Sequence, residues 1–525
     1  MNLAFKSGIS VSATPNPFDF AQGSATVEAV TRNWNKSKKE LIRTPCFEIM
    51  PHIMQAQIRR ILIATSLLLW IAGLAAANLA NQVDEIISKP VERKVKFSIR
   101  IIKADSGAAV YDHNSRELMI PASNMKLMVS ATALRYLGPD YVYTTKVGLS
   151  GKALVVIGSG DPLLGDERTD AKYGREPGWI FKDIIHALDH KGIETIEDII
   201  IDTSIFDNER VHPSWPDNDL NKWYACEISG LNYNDNCVAL SARNILGRIN
   251  LTVDPPTSFL TLINDVKPVT TGTNTLGSNR NRTPNKLTVY GRCKDRAGPI
   301  DVAIERPAAF FGFLLAERLA GAGIDARGQL VERTFDEEND FVPLIEFHTK
   351  IEDCLARCNK NSLALAAEAL LKTVAAEANP DGKNGGWERG RERISEYLTE
   401  LGIDKSQYYL DDGTGLSRQN ELTAYAITTV LSDIYHGENW QFYRGTLAVG
   451  GQEGTIEKYF EDEKYSGKIR GKTGYISGVR ALSGVAETAE GDYIFSILAN
   501  NAYSLHRSTI NEIAEAIIDS ELPED

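Results

Sequence analysis

Ser123-Asn124-Met125-Lys126 sets a hydroxyl and an amine three residues apart at the start of a predicted helix. Pro121-Ala122 lies just upstream, and Ala133-Leu-Arg-Tyr-Leu137 continues the helical pattern. Residues i and i+3 share a helix face, with Cβ atoms about 5–6 Å apart. A neutral lysine amine at that distance can take the serine proton and make a nucleophile without a histidine. The partial positive charge of the helix N-terminus disfavours a second positive charge on Lys126. Two further elements follow in order. Asn359-Lys-Asn-Ser362-Leu-Ala364 offers a second hydroxyl, and Gly471-Lys472-Thr473-Gly474 a second amine. Alone, each is weak: Ser-x-x-Lys is usually a polar helix face, and Lys-Thr-Gly a strand end and turn. In sequence, on predicted helix, helix and strand, they suggest one site.

The elements that must position these residues are readable from pattern. Lys96–Ile102 and Ala108–His113 read as a hairpin, with Lys103-Ala-Asp-Ser-Gly107 as its turn. Thr144–Gly148, Ala153–Gly158 and Ile199–Asp202 are strand-like. Pro307–Leu319 is helical and stops at Gly321; helical patterns return over Ile351–Ala376 and Glu388–Leu401. Strands are predicted at Lys468–Thr473, Val479–Glu487 and Tyr493–Asn500, before a last amphipathic helix over Thr509–Ile518. Gly158-Ser-Gly160-Asp161-Pro162 lacks a P-loop lysine and reads as a turn. The order suggests an α/β catalytic unit with a domain inserted into it.

A chain of 525 residues exceeds one ordinary core, so two or three domains are expected. Hydrophobic content of 43% and charged content of 24% are globular values. The net charge of −13 argues against a nucleic-acid partner. Arg59-Arg60, an apolar run over Ile61–Leu74 and Ala75-Ala-Ala77 read as a secretory signal or signal anchor over 54–80. Residues 1–53 then read as an over-extended start or a cytoplasmic tail. Export implies a periplasmic or otherwise extracytoplasmic location, with a peripheral membrane contact if the leader is retained. Five of six cysteines follow the leader, with Cys226/Cys237 and Cys354/Cys358 as local candidate pairs that spacing does not settle. No histidine joins them at ligand spacing, so neither metal nor cofactor is expected.

Ser-x-x-Lys, Ser-Asp-Asn and Lys-Thr-Gly are the set found in penicillin-binding proteins and class A β-lactamases. The chain resembles the class C penicillin-binding proteins, D-alanyl-D-alanine carboxypeptidases/endopeptidases, from about residue 95 to about residue 505. Pro121–Leu127 is similar to that family's nucleophile segment, and Gly158–Leu164 to its Gly-x-Gly-Asp-Pro turn. Asp202–Phe206 and Trp215–Asp219 are similar to its inserted domain, Asp412–Arg418 to its Asp-Gly-Ser-Gly-Leu-Ser-Arg loop, and Gly450–Thr455 and Lys472–Gly478 to its C-terminal blocks. The 236-residue gap between Lys126 and Ser362 leaves room for the domain that this family inserts there and a β-lactamase lacks.

The resemblance implies an α/β (α+β) β-lactamase/transpeptidase-like catalytic domain over 81–147 and 345–525. Its antiparallel sheet would be flanked by helices, with a mainly-β or mixed domain inserted over 148–344. It implies a serine DD-peptidase acting on peptidoglycan stem peptides, with β-lactams as covalent inhibitors. Ser123 would be the nucleophile, Lys126 its base, Ser362 a proton relay, and Lys472 a source of positive potential. Thr473, Gly474 and Tyr475 would bind substrate, and the backbone N–H groups of Ser123 and Tyr475 would form the oxyanion hole. Asp219 would take the free amine of diaminopimelate, or else be a surface carboxylate at a turn. Two residues depart from the family: Ala364 replaces the asparagine of Ser-x-Asn, and Tyr475 replaces a small hydroxyl residue. The first motivates a competing reading, a catalytically weak wall-binding protein; a β-lactamase or esterase is a third.

Overall fold

A computed structural model of the chain describes residues 57–58, 60–61, 78–89, 92–336, 340–503 and 507–520. The chain divides into units Met1–Leu74 and Ala75–Asp525. In the first, only two short helical stretches at 57–58 and 60–61 are described, so nearly all of the predicted leader lies outside the described residues. Among the described residues, no helix is long and apolar enough to cross a membrane.

The second unit is built on a six-stranded antiparallel sheet. Its spatial order is Ala448–Val449, Ile469–Ile476, Val479–Ala486, Tyr493–Asn500, Lys96–Lys103, Ala109–His113. Side chains alternate across it with the period of two that a pleated strand imposes. Phe495, Ile497 and Ala499 enter one apolar layer with Leu482 and the helix Arg507–Asp519, while Ile494 and Leu498 enter the opposite layer with Ala481 and Val485. Both faces are therefore covered, and the central strands Val479–Ala486 and Tyr493–Asn500 are buried almost throughout. Residues 78–80, assigned to the leader from sequence, open a helix over 78–88 whose Leu79 and Val83 are buried in the first layer.

The second layer holds the helices that carry the predicted chemistry. Ser123 lies in a single 3₁₀ turn, Ala122–Asn124, that runs straight into the helix Met125–Leu137. The pattern over Ile351–Ala376 predicts one helix, but the structure has two, Ile351–Lys360 and Ala364–Glu377. The break is Ser362, whose φ of +60° lies in the left-handed region. A serine held there is uncommon and ends the first helix before the second begins.

Between residues 142 and 350 the chain makes a long excursion. It leaves along Val142–Ser150 and returns along Val342–Lys350, and these strands pair antiparallel with Val142 opposite Lys350. They belong to a five-stranded mixed sheet with Leu330–Glu332, Ile199–Asp202 and Ala153–Ile157; the excursion also holds two three-stranded sheets. All five cysteines in the described residues are buried free thiols, so neither Cys226/Cys237 nor Cys354/Cys358 is bonded. Cys354 and Cys358 sit one turn apart on a single helix and pack into the core.

Candidate active site

The nucleophile turn, the Ser362 loop and the Lys-Thr-Gly strand meet at one place. Lys126 Nζ donates to Ser123 Oγ at 3.3 Å and to the Thr414 carbonyl at 2.7 Å. Lys472 Nζ donates to Ser362 Oγ at 2.9 Å and to the Thr473 carbonyl at 3.0 Å. The two halves are tied by Asn124, whose Nδ2 donates to the Lys472 carbonyl at 2.7 Å. The strand also touches the nucleophile turn directly. A Cβ placed on Gly474 would lie 2.7 Å from the Pro121 carbonyl oxygen and 3.3 Å from Ala122 Cβ. Only glycine lets the backbones of residues 474 and 121 come this close.

Burial sorts these groups by task. Ser123, Ser362 and Thr473 are half-buried, so their hydroxyls can meet a ligand, whereas both lysines are buried. Desolvation pulls the Lys126 ammonium below the ordinary lysine value, against the opposing pull of Cys358, Asp412 and Glu368. Desolvation, joined by repulsion from Lys126, pulls Lys472 well below it. Two amines that cannot both hold a proton cheaply form an acid–base pair, with one positioned against each hydroxyl.

Around them, the loop over residues 411–420 is held by two buried carboxylates. Asp412 accepts from the N–H groups of Gly415 (2.7 Å) and Ser417 (2.8 Å), Asn420 Nδ2 (2.6 Å) and Trp215 Nε1 (2.8 Å). Glu368 accepts from the N–H groups of Gly413 and Thr414 and from Trp387 Nε1. Thr473 Oγ1 donates to Thr455 Oγ1 at 2.9 Å, bringing in the Gly450–Thr455 block. Among the described residues no group of side chains could hold a metal ion.

The chain matches the D-Ala-D-Ala carboxypeptidase 3 (S13) family over residues 79–520. It belongs to that family.

Its relatives include the D-alanyl-D-alanine carboxypeptidase of Actinomadura sp. (strain R39), 28% identical over 465 residues, covering 82% of each chain. Another is the D-alanyl-D-alanine carboxypeptidase DacB of Haemophilus influenzae, 23% identical over 421 residues, covering 75% of this chain and 83% of the relative. The crystal structure of penicillin binding protein 4 from Haemophilus influenzae superposes with a TM-score of 0.71 at 20% identity, over 83% of this chain and 98% of that one. The expected α+β architecture, helices around an antiparallel sheet, is the fold found.

Within this S13 chain, the sequence-predicted residues divide. Ser123, Lys126, Ser362, Lys472, Thr473 and Gly474 gather as described. Tyr475 is 65% exposed, with the Arg480 guanidinium 4.0 Å from its ring centroid, so its side chain lies against a neighbouring arginine at the surface. Asp219 is half-buried in the 3₁₀ turn Asp217–Asp219 and accepts from Tyr224 Oη at 3.1 Å; among the described residues no hydrogen bond links it to the gathered groups. Ala364 is buried at the first turn of its helix and offers only a methyl group. Sequence reasoning missed Asn124, Glu368 and the Thr414 carbonyl. The available signal was an acid and a lysine, Glu368 and Lys372, in a helix whose residues from Ala364 to Ala376 are otherwise apolar except Thr373.

Proposed function

We propose that this protein is a serine DD-peptidase of peptidoglycan in which Ser123 forms an acyl-enzyme. Lys126, whose charged form burial disfavours, takes the Ser123 hydroxyl proton when it is neutral. Ser123 Oγ attacks the carbonyl carbon of the penultimate D-alanine, and the backbone N–H groups of Ser123 and Tyr475 stabilise the oxyanion. One such donor is typically worth about 2.7–4 kcal/mol. The scissile C–N bond then breaks. Ser362, hydrogen-bonded to Lys472, passes a proton to the departing amine, which is D-alanine in carboxypeptidase action and a cross-linked diaminopimelate in endopeptidase action. Water hydrolyses the ester and restores Ser123. Thr473 holds the substrate carboxylate, and Asp219 receives a free amine of the stem peptide.

The single observation that carries this reading is the pairing of each hydroxyl with its own buried lysine, Ser123 with Lys126 three residues on and Ser362 with Lys472 110 residues on. Family membership supports the same substrate class, and the β-lactam bound to Haemophilus influenzae penicillin binding protein 4 supports acylation by that antibiotic class. Peptidoglycan lies outside the cytoplasm, so the enzyme acts there, and the apolar leader-like run that precedes the core helix starting at residue 78 would deliver it. The paired strands Val142–Ser150 and Val342–Lys350 support treating the excursion between them as the inserted domain.

Ala364 favours a second reading, in which acylation survives but turnover is weak. Both readings meet one experiment: mass spectrometry after benzylpenicillin, beside an assay of D-alanine released from a muropeptide. Wild type should gain one penicilloyl group and Ser123→Ala none. D-alanine release supports the peptidase; acylation without release supports the weak homologue. Wild type that stays unmodified ends both.

A further inference from the structure

The helix Ala364–Glu377 begins two residues after Ser362 and is buried from Ala364 through Ala376, yet it carries Glu368 and Lys372. Lys372 is fully occupied by packing and structure. It donates to Asp207 Oδ1 and the Glu209 carbonyl, both at 2.6 Å, with its Nζ 3.8 Å from the centroid of the Trp387 ring. Glu368 has a different set of partners. Its Oε1 accepts from Thr414 N at 2.7 Å and Gly413 N at 3.0 Å, and its Oε2 from Trp387 Nε1 at 2.7 Å and Gly413 N at 3.1 Å. The carbonyl of that same Thr414 holds the Lys126 amine at 2.7 Å. The next N–H, that of Gly415, is held by Asp412 at 2.7 Å, so the peptide whose carbonyl faces Lys126 is fixed on its other side by a carboxylate.

We propose that Glu368 is a positioning residue for Lys126: its carboxylate fixes Gly413–Thr414 so that the Thr414 carbonyl holds the lysine amine against Ser123, and its charge sets how readily that lysine yields its proton. This rests on the reading of Lys126 as the base. Ser362 stands two residues before the helix that carries Glu368, in the left-handed turn between the two helices. Charge-assisted bonds to backbone N–H groups are short and strong, and chains of them polarise one another in a low-dielectric interior. An apolar side chain at residue 368 would fill the core equally well but could hold no loop.

The charged and titratable groups facing Lys126 come from four elements: Cys358, Glu368, Asp412 and Lys472. Those facing Glu368 include Asp412, Lys126, Lys372 and Cys358. Burial and the nearby Asp412 push the Glu368 carboxyl up to about 8, so its negative charge and its charge-assisted bonds are complete only above that value, and it is on the alkaline part of the limb that this charge acts on Lys126.

The test is the pH dependence of acylation by a fluorescent penicillin. In wild type the rate should rise with pH along the limb set by Lys126. In Glu368→Gln the maximal rate should fall by about 10²-fold, as expected for a displaced catalytic group, while pre-covalent affinity holds. The limb itself should move to lower pH, because a negative charge facing the lysine is gone. A limb at the wild-type position overturns the proposal, even if the variant melts earlier. Should Glu368→Gln fail to fold, Trp387→Phe removes one donor to Glu368 and keeps both backbone bonds. Its limb should move the same way by a smaller step, and an unmoved limb is again refutation. Wild type that is not acylated at any pH sinks the peptidase reading instead.

Discussion

A lysine is a base only while neutral, so the sign of its shift decides whether Lys126 can act. Burial lowers it, and the facing Cys358, Asp412 and Glu368 only partly oppose that. Acylation of Ser123 is therefore expected to rise with pH along a limb centred below 10.5, the ordinary lysine value. Stopped-flow acylation across pH checks this; a limb at or above 10.5 removes Lys126 as the base. Lys126→Ala should slow acylation by about 10²–10⁴-fold, the usual contribution of a positioned base. At this scale the sequence was readable where chemistry is written in neighbouring residues. Ser123 and Lys126 share one helical turn, and Lys472, Thr473 and Gly474 are consecutive, so local periodicity placed them. Glu368 was not legible in this way, because its partners at 413, 414 and 387 come together only in the folded chain.

Elements set the distances between these groups, and Gly474 shows how narrow the tolerance is. Gly474→Ala would bring a methyl group 2.7 Å from the Pro121 carbonyl oxygen and 2.9 Å from Ala481 Cβ. Neither can swing away: one belongs to the backbone, and the other is anchored in the neighbouring strand with Ala481 opposite residue 474. The Lys-Thr-Gly strand must then move off the nucleophile turn. Acylation should fall by about 10²-fold for a displacement near 1 Å, with an overpacking cost of about 1–3 kcal/mol in stability. Kinetics beside thermal melts separates the two effects; a variant acylated at the wild-type rate refutes the close approach. The hairpin, the three C-terminal strands and the last helix were legible because their apolar residues alternate or recur every turn. The break at Ser362 was not. The apolar pattern over Ile351–Ala376 suits one helix, and a left-handed serine leaves no mark in hydrophobic periodicity.

At the scale of the whole molecule, the site is a local debit carried by a large core. Three lysines, Lys126, Lys372 and Lys472, are buried, and desolvation lowers each. A lowered lysine means that the unfolded chain binds a proton the folded chain refuses. Stability from such a group is full above 10.5, the unfolded value, and is lost as pH falls through the folded value. Lys472 shows this most sharply, being pulled furthest by burial and by Lys126. Lys472→Met keeps the length and bulk of the side chain and removes the charge. Its loss of the bonds to Ser362 and the Thr473 carbonyl is the same at any pH, whereas relief from desolvation appears only where the unfolded lysine is protonated. The stability of Lys472→Met relative to wild type should thus be more favourable at pH 7 than at pH 10.5, while acylation is lost at both. Urea melts of the two proteins at these pH values measure the difference directly. An equal gap at both would mean that Lys472 is charged in the folded enzyme as freely as in the unfolded chain. The catalytic pairing of a half-buried hydroxyl with a desolvated amine would then lose its physical basis.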